Sequence, residues 1–303
     1  MWQPRPGRSA EARRAAGIIA RMDSTVSPMR LDAGRLRDDC RQAMARVAGG
    51  AEFDISVVER LGSSNVELMR EDFGAAPRAP RLLVVWQQTD GRGRRGRGWA
   101  SPPEVSLTFS LGFERIAGGA FLGGWSIAAG TAIAGALQPQ VADIALKWPN
   151  DLQRQGRKCG GILAETRRQA AGATTIERVV TGIGLNLLPD AGREQAAGQP
   201  TIALFEQALP CRREALLADV ASGLWQRWRD FQRDGLASSV AEWRRFDALI
   251  GREVVVIDNG SILFSGRAEG LGDDGALAVR VDGERRWVTV GDVSVRRVDR
   301  QAD

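Results

Sequence analysis

The 303-residue chain contains no histidine and no tyrosine. The first absence excludes Ser-His-Asp and Cys-His catalysis and every metal centre built on imidazole. Chemistry is left to carboxylates, lysine, arginine, backbone amides or an oxygen-liganded ion such as Mg²⁺. Cysteine is scarce as well. Cys40, Cys159 and Cys211 are far apart and odd in number, a pattern that supports neither a disulfide framework nor a zinc site with short ligand spacing. A reducing cytoplasm is the expected compartment. No apolar stretch reaches the roughly 18–20 uncharged residues of a membrane span. The arginines of residues 1–21 are followed by no apolar core that could act as a secretory signal.

What is present is ordinary for a globular protein: 43% hydrophobic and 26% charged residues. The length suits one large domain and one small one. A net charge of +5 raises the question of nucleic acid. Arginine-rich coding produces the same balance without any partner, and the arginines are spread along the chain except at residues 92–97. No DNA partner and no membrane partner are expected.

Three regions follow from the patterning. Residues 1–50 are rich in Arg and Ala, and read as a partly disordered extension with one or two helices. The best helix there spans 31–47, with Leu31, Leu36, Met44 and Val47 recurring among charges. Fifty such residues are too few for a complete three-helix winged DNA-binding domain. Residues 51–247 alternate strands and helices: strands at 53–58, 81–86, 105–111, 142–148, 160–165 and 176–184, and helices starting near Asn65, at 125–137 and at 213–233. In the last helix Leu216, Leu217, Val220, Leu224, Trp228 and Phe231 share one face, as core packing requires. Residues 248–303 are short alternating strands at 253–257, 262–268, 276–281 and 286–290. They are separated by Asp-Asn-Gly, Asp-Asp-Gly and Asp-Gly turns, the signature of a small β-barrel. The fold class is therefore α+β.

Four segments carry chemistry. Gln88-Thr89-Asp90-Gly91-Arg92-Gly93-Arg94-Arg95-Gly96-Arg97 follows a strand directly. Its glycines allow close backbone approach, and its arginines offer planar forks for carboxylate and phosphate oxygens. Taken alone, it is either an anion cradle or a solvated basic loop that touches nucleic acid. Lys147-Trp148-Pro149-Asn150-Asp151 ends a strand on a turn, and Lys158 follows seven residues later. The implied hairpin carries Lys147 and Lys158 on adjacent strands, where both reach a common pocket. Gly182-Ile183-Gly184-Leu185-Asn186 is a Gly-spaced strand end. Gly62-Ser63-Ser64-Asn65 offers two hydroxyls and an amide at a helix start, where N-capping explains it equally well.

In this order, with Trp99, Ser101-Pro102 and Arg157-Lys158…Gly161, the segments resemble bacterial biotin protein ligases, of the monofunctional type without a DNA-binding domain. The match runs from about residue 53 to the C-terminus. It implies a mixed-sheet catalytic domain of the biotin/lipoate ligase type over 51–247 and an SH3-like β-barrel over 248–303. The implied activity joins biotin to ATP, giving biotinyl-5′-AMP and pyrophosphate. The biotinyl group then passes to a lysine of the biotin carboxyl carrier domain of acetyl-CoA carboxylase or a related carboxylase. A transcriptional repressor role is not expected. Lipoate ligases share the chemistry and a related fold, but the Gly/Arg loop, the Lys147–Asp151 segment and the barrel favour biotin.

The resemblance also assigns residues. Ser63, Ser64, Asn65 and Gln88 match the biotin head contacts, joined by Gly91, Gly161 and the closing loop Arg92-Gly93-Arg94. Lys158 matches the lysine that bridges the biotin carboxylate and the α-phosphate. On the nucleotide side stand Arg92, Arg94, Arg95 and Arg97, with Trp99, Lys147, Asn150 and Asn186. The biotin carboxylate is ionised at neutral pH and needs no base, so the obstacle is repulsion between anions. Arg92, Arg94, Lys147 and Lys158, with Mg²⁺ carried by ATP, would lower it. Lys158, Arg94, Lys147 and Asp151 are thus the expected catalytic set, with no protein-held metal. Asp151 either takes the proton of the acceptor lysine or helps hold Mg²⁺. Asp90 departs from the family pattern; it either tethers the loop in the unbound state or points to solvent.

Overall fold

A computed structural model describes residues 31–74, 76–118, 122–258, 260–289 and 293–297. Residues 1–30 of the expected extension lie outside the described residues, as do Asn259 and Val290 of the barrel turns and strands.

The elements run α1 (Ala33–Ala45), β1 (Asp54–Leu61), α2 (Ser64–Arg70), β2 (Arg81–Gln88), β3 (Ser106–Ile116), α3 (Trp125–Leu137), β4 (Ile144–Lys147), β5 (Asp151–Arg154), β6 (Arg157–Ala171), β7 (Thr174–Asn186), α4 (Arg193–Ala197), α5 (Arg213–Asp234) and α6 (Ala237–Phe246). Five more strands follow: β8 (Glu253–Asp258), β9 (Ser261–Leu271), β10 (Leu277–Val281), β11 (Glu284–Val288) and β12 (Val293–Arg297). The first seven strands form one sheet in the order β1-β2-β3-β7-β6-β5-β4. Only β1 and β2 run parallel, so the sheet is mixed. The last five form an antiparallel sheet in the order β11-β10-β9-β8-β12. The α+β reading holds.

Strand alternation divides the large sheet into a dry face and a working face. Leu107, Phe109, Leu111 and Phe113 of β3 and Val179, Ile183 and Leu185 of β7 point into one core under α1, α3, α5 and α6. There Trp125 and Trp228 meet edge-on with centroids 5.2 Å apart, and Phe113 stacks on Trp228 at 5.1 Å. The indole N–H of Trp125 donates to the Thr181 hydroxyl at 2.8 Å, so its polar atom is satisfied inside the core. Helix α1 buries Leu36, Cys40, Ala43 and Met44 in this same core and packs on α5. The other face holds a small cluster of Leu68, Leu83, Val85 and Val180 beneath α2. The remainder of that face is left open for ligand.

One expectation fails. Lys147 and Lys158 are not on adjacent strands: the four-residue β5 lies between β4 and β6. Lys147 pairs with Asp151, and Gln153 pairs with Lys158. A bulge between Leu152 and Gln153 re-aims this stretch. Strand β12, absent from the sequence reading, pairs with β8.

The small sheet is anchored through the turn between β9 and β10. The indole N–H of Trp148 donates to the Gly275 carbonyl at 3.0 Å. Gly275 has φ +82°, and a Cβ there would lie 2.6 Å from Ile127 Cδ1. Gly275→Ala should therefore destabilise the protein by about 1–3 kcal/mol, combining backbone strain with overpacking. Chemical denaturation measures it; an unchanged midpoint contradicts this anchoring.

Candidate active site

The open part of the working face is a cavity of about 830 Å³. Ser63, Ser64, Asn65 and Gln88 line one region; Arg92, Gly93, Arg94, Arg95, Arg97 and Trp99 come from the loop; Lys147, Asn150, Asp151, Lys158, Gly161 and Asn186 complete the predicted set. Gly91 alone of that set is not part of the wall. It is a strut, since a Cβ there would collide with the Trp99 carbonyl, and its own carbonyl accepts from the Trp99 N–H at 2.8 Å.

The Gly/Arg segment folds back on itself. Arg92 bridges Gly98, and Gly93 N–H donates to the Arg97 carbonyl at 2.7 Å. Arg95 sits at φ 60°, so its backbone spends strain to turn the loop. Arg94 Nη1 donates to Asn150 Oδ1 at 3.2 Å, and Asn150 Nδ2 donates to the Ile162 carbonyl at 2.7 Å. Asn150 thus holds an arginine of the loop against the sheet. Asp90 is paired with Arg92 at 3.0 Å, both side chains being more than half exposed. An exposed pair of this kind is weak, and an incoming anion can displace it.

The glycines of β7 and β6 are vacancies for side chains. A Cβ at Gly184 would collide with the Trp99 indole, and one at Gly182 with the Asn65 side chain. One at Gly161 would lie 3.3 Å from Lys158 Nζ. Trp99 therefore lies flat on the sheet, with Lys158 Nζ 5.6 Å from its ring centroid. Helix α2 is fixed from behind. Arg178, 2% exposed, donates to the carbonyls of Leu68 (2.8 Å) and Glu71 (2.7 Å) at its C-terminal end. Ser63 does occupy the N-cap position of α2, but its hydroxyl makes no side-chain cap bond.

Electrostatics dominate the other region. Lys158 Nζ lies 2.6 Å from Asp151 Oδ1. Asp151 is the sole carboxylate among the lining residues, facing Lys147, Lys158 and the loop arginines. Burial pushes the Lys147 ammonium below the ordinary lysine range; Asp151 opposes this, while Lys158, Arg296 and Arg97 reinforce it. Arg296 is one of three residues that β12 contributes to the wall, and the sequence reading missed them all. Among the described residues no group of three or more Cys, Asp or Glu is placed to hold a metal. With its one carboxylate ion-paired, the cavity does not fit a protein-held cation. Mg²⁺ fits only as an ion arriving on nucleotide phosphates. Lys147 and Lys158 are also the only two lysines in the chain. Everywhere else its basic residue is arginine, so the compact ammonium groups of the chain are both in this cavity.

Comparisons with known proteins agree with this geometry. Residues 57–186 match the biotin/lipoate A/B protein ligase family, and residues 249–296 match the biotin protein ligase C terminal domain. The chain is 31% identical over 271 residues to the biotin–[acetyl-CoA-carboxylase] ligase of Mycobacterium tuberculosis, covering 87% of this chain and 95% of that one. It is 30% identical over 263 residues to the bifunctional ligase/repressor BirA of Escherichia coli, covering 86% of this chain and 79% of the relative. The fold superposes on the biotin protein ligase of Aquifex aeolicus in complex with biotin and ATP, with a TM-score of 0.63, 22% identity, and coverage of 80% and 99% of the two chains.

Having only two lysines makes the charge state directly measurable. In lysine-labelled protein, two side-chain NMR signals are expected, one of which (lost in Lys147→Arg) titrates below the ordinary lysine range. Two signals that both titrate at the usual alkaline pH would contradict the buried environment of Lys147.

Proposed function

The chain belongs to the biotin/lipoate A/B protein ligase family, and on that footing we propose that it is an ATP-dependent biotin–[biotin carboxyl carrier protein] ligase. The observation that carries the reading is the division of one cavity into a neutral hydrogen-bonding region at Ser63, Ser64 and Gln88 and a cationic region around Lys158. The chemistry of a cyclic urea with a carboxylate tail matches the two regions in turn. The barrel type after residue 248 supports biotin over lipoate.

In the first step a biotin carboxylate oxygen attacks the α-phosphorus of ATP. The new O–P bond forms as the α–β bridge breaks and pyrophosphate leaves. Neither carboxylate nor phosphate needs a proton moved, so the protein's task is to neutralise converging anions. Lys158 is held by Asp151 and lies beside the Trp99 ring, and its role in this reading is to bridge the two anions. Arg92 and Arg94 close from the loop, Lys147 and Arg296 flank, and Asn186 lies toward the adenylate. In the second step a neutral carrier lysine attacks the biotinyl carbonyl and AMP leaves. Asp151 is the carboxylate placed to take the proton. A reducing cytoplasm suits the three free cysteines. The proposal concerns catalysis alone. Among the described residues before β1 there is one helix, α1, and it is engaged in packing on α5.

Purified protein should support biotin-dependent ATP–pyrophosphate exchange and show none with lipoate; no exchange with biotin sinks the reading. Arg94→Ala should release the adenylate about tenfold faster or more, as expected for losing a charge-assisted contact. Unchanged adenylate retention would remove the loop from that role.

A further inference from the structure

A continuous hydrogen-bonded chain crosses the floor of the cavity, and its proton directions can be read from which atoms are able to donate. Asn65, 3% exposed, commits both amide protons: Nδ2 donates to Glu165 Oε2 at 2.8 Å and to the Leu163 carbonyl at 3.1 Å. Its Oδ1 must therefore face the other way, where Ser110 Oγ lies 2.6 Å distant. An amide oxygen only accepts, so the Ser110 proton is spent on Asn65. Ser110 is fully buried, and its Oγ is also 2.6 Å from Ser64 Oγ. One hydroxyl carries one proton, so Ser110 can only accept from Ser64. On the far side, the backbone N–H of Ser64 donates to Gln88 Oε1 at 2.7 Å, which turns that amide's oxygen inward. The Ser64 hydroxyl is left between two acceptors, Ser110 Oγ at 2.6 Å and Gln88 Oε1 at 3.0 Å. Its proton is committed to the protein, and only lone pairs remain for a ligand in the cavity.

We propose that Ser110 and Glu165 are positioning residues that fix the Ser64 hydroxyl as a hydrogen-bond acceptor, so that the cavity selects a ring N–H at that point. The proposal deepens the biotin reading and rests on it. Neither residue lies in a sequence motif: Ser110 is one small residue inside an apolar strand, and Glu165 is one carboxylate on a half-exposed one. Strand alternation puts both on the working face. Gly182 keeps the chain intact, because a side chain there would displace Asn65.

The consequence is a specificity that depends on residues the ligand does not touch. In a carbamate isostere of biotin, ring oxygen replaces one ring N–H and presents an acceptor where Ser64 also offers one. A buried mismatch of that kind costs about tenfold or more in kcat/KM. Removing Ser110 takes away the nearer of the two acceptors and leaves the Ser64 proton to Gln88 Oε1 alone at 3.0 Å, so it turns outward to donate more readily.

The test compares biotin with its two carbamate isosteres in ATP–pyrophosphate exchange by the full-length enzyme. Wild type is expected to reject one isostere by about tenfold or more. Ser110→Ala should raise KM for biotin by about tenfold, leave kcat within about twofold, and reduce that rejection severalfold, Gln88 Oε1 still holding the Ser64 proton part of the time. Glu165→Ala, at a less buried position, should move the same ratio in the same direction by less, because the Leu163 carbonyl still holds one amide proton. If both variants weaken biotin and the isosteres equally, the residues merely pack and the proposal is overturned. An unchanged ratio overturns it too. Wild type that exchanges with neither biotin nor the isosteres would instead remove the biotin reading itself.

Discussion

The ion pair between Lys158 and Asp151, 2.6 Å apart, is the contact on which the cavity depends. Lys147, the loop arginines and Arg296 are gathered around a space in which Asp151 is the one carboxylate among the described lining residues. Like charges brought together out of water repel and lose hydration, so the arrangement is stable only while some anion answers them. Asp151 answers in part. The remainder of the demand is met by whatever binds, and a carboxylate with a polyphosphate supplies it. Burial first, and then the neighbouring Lys158, Arg296 and Arg97, hold the Lys147 ammonium below the ordinary lysine range, with Asp151 opposing them.

Geometry converts that charge into selectivity. Strand β5, four residues long, separates the two lysines and places Asp151 and Gln153 on the working face. Glycines at 161, 182 and 184 lower the sheet locally, so that Lys158, Asn65 and Trp99 lie against it. The barrel adds β12 to one wall and fixes its position through Trp148 and Gly275. Cationic and neutral regions of one cavity are thus built by different elements, and in the hydrogen-bonded floor beneath Ser64 the Asn65 and Ser110 protons each have one assigned acceptor.

Much of this was legible in the sequence. The helix at 125–137 was read to the residue. The order of segments from Gly62 to Asn186 identified the family. What escaped reading did so for physical reasons. The hairpin joining β5 and β6 turns at Gln155 and Gly156, both at positive φ (51° and 74°). Glutamine is not a residue that advertises such a turn. Strand β5 was therefore lost inside a presumed connection, and the two lysines were drawn one strand too close. Arg296 looked like one arginine among many near a chain end. Ser110 and Glu165 carry no motif, because their role is set by which strands become neighbours.

The central claim is that one cavity seats both a biotin head and an adenylate, joined beside Lys158. The most direct measurement is a crystal structure of the protein grown with biotin and ATP. The account predicts density for a biotinyl-adenylate with its ring against Ser64 and Gln88 and its phosphate within hydrogen-bonding reach of Lys158. Density for the ring or the phosphate elsewhere on the protein would contradict it.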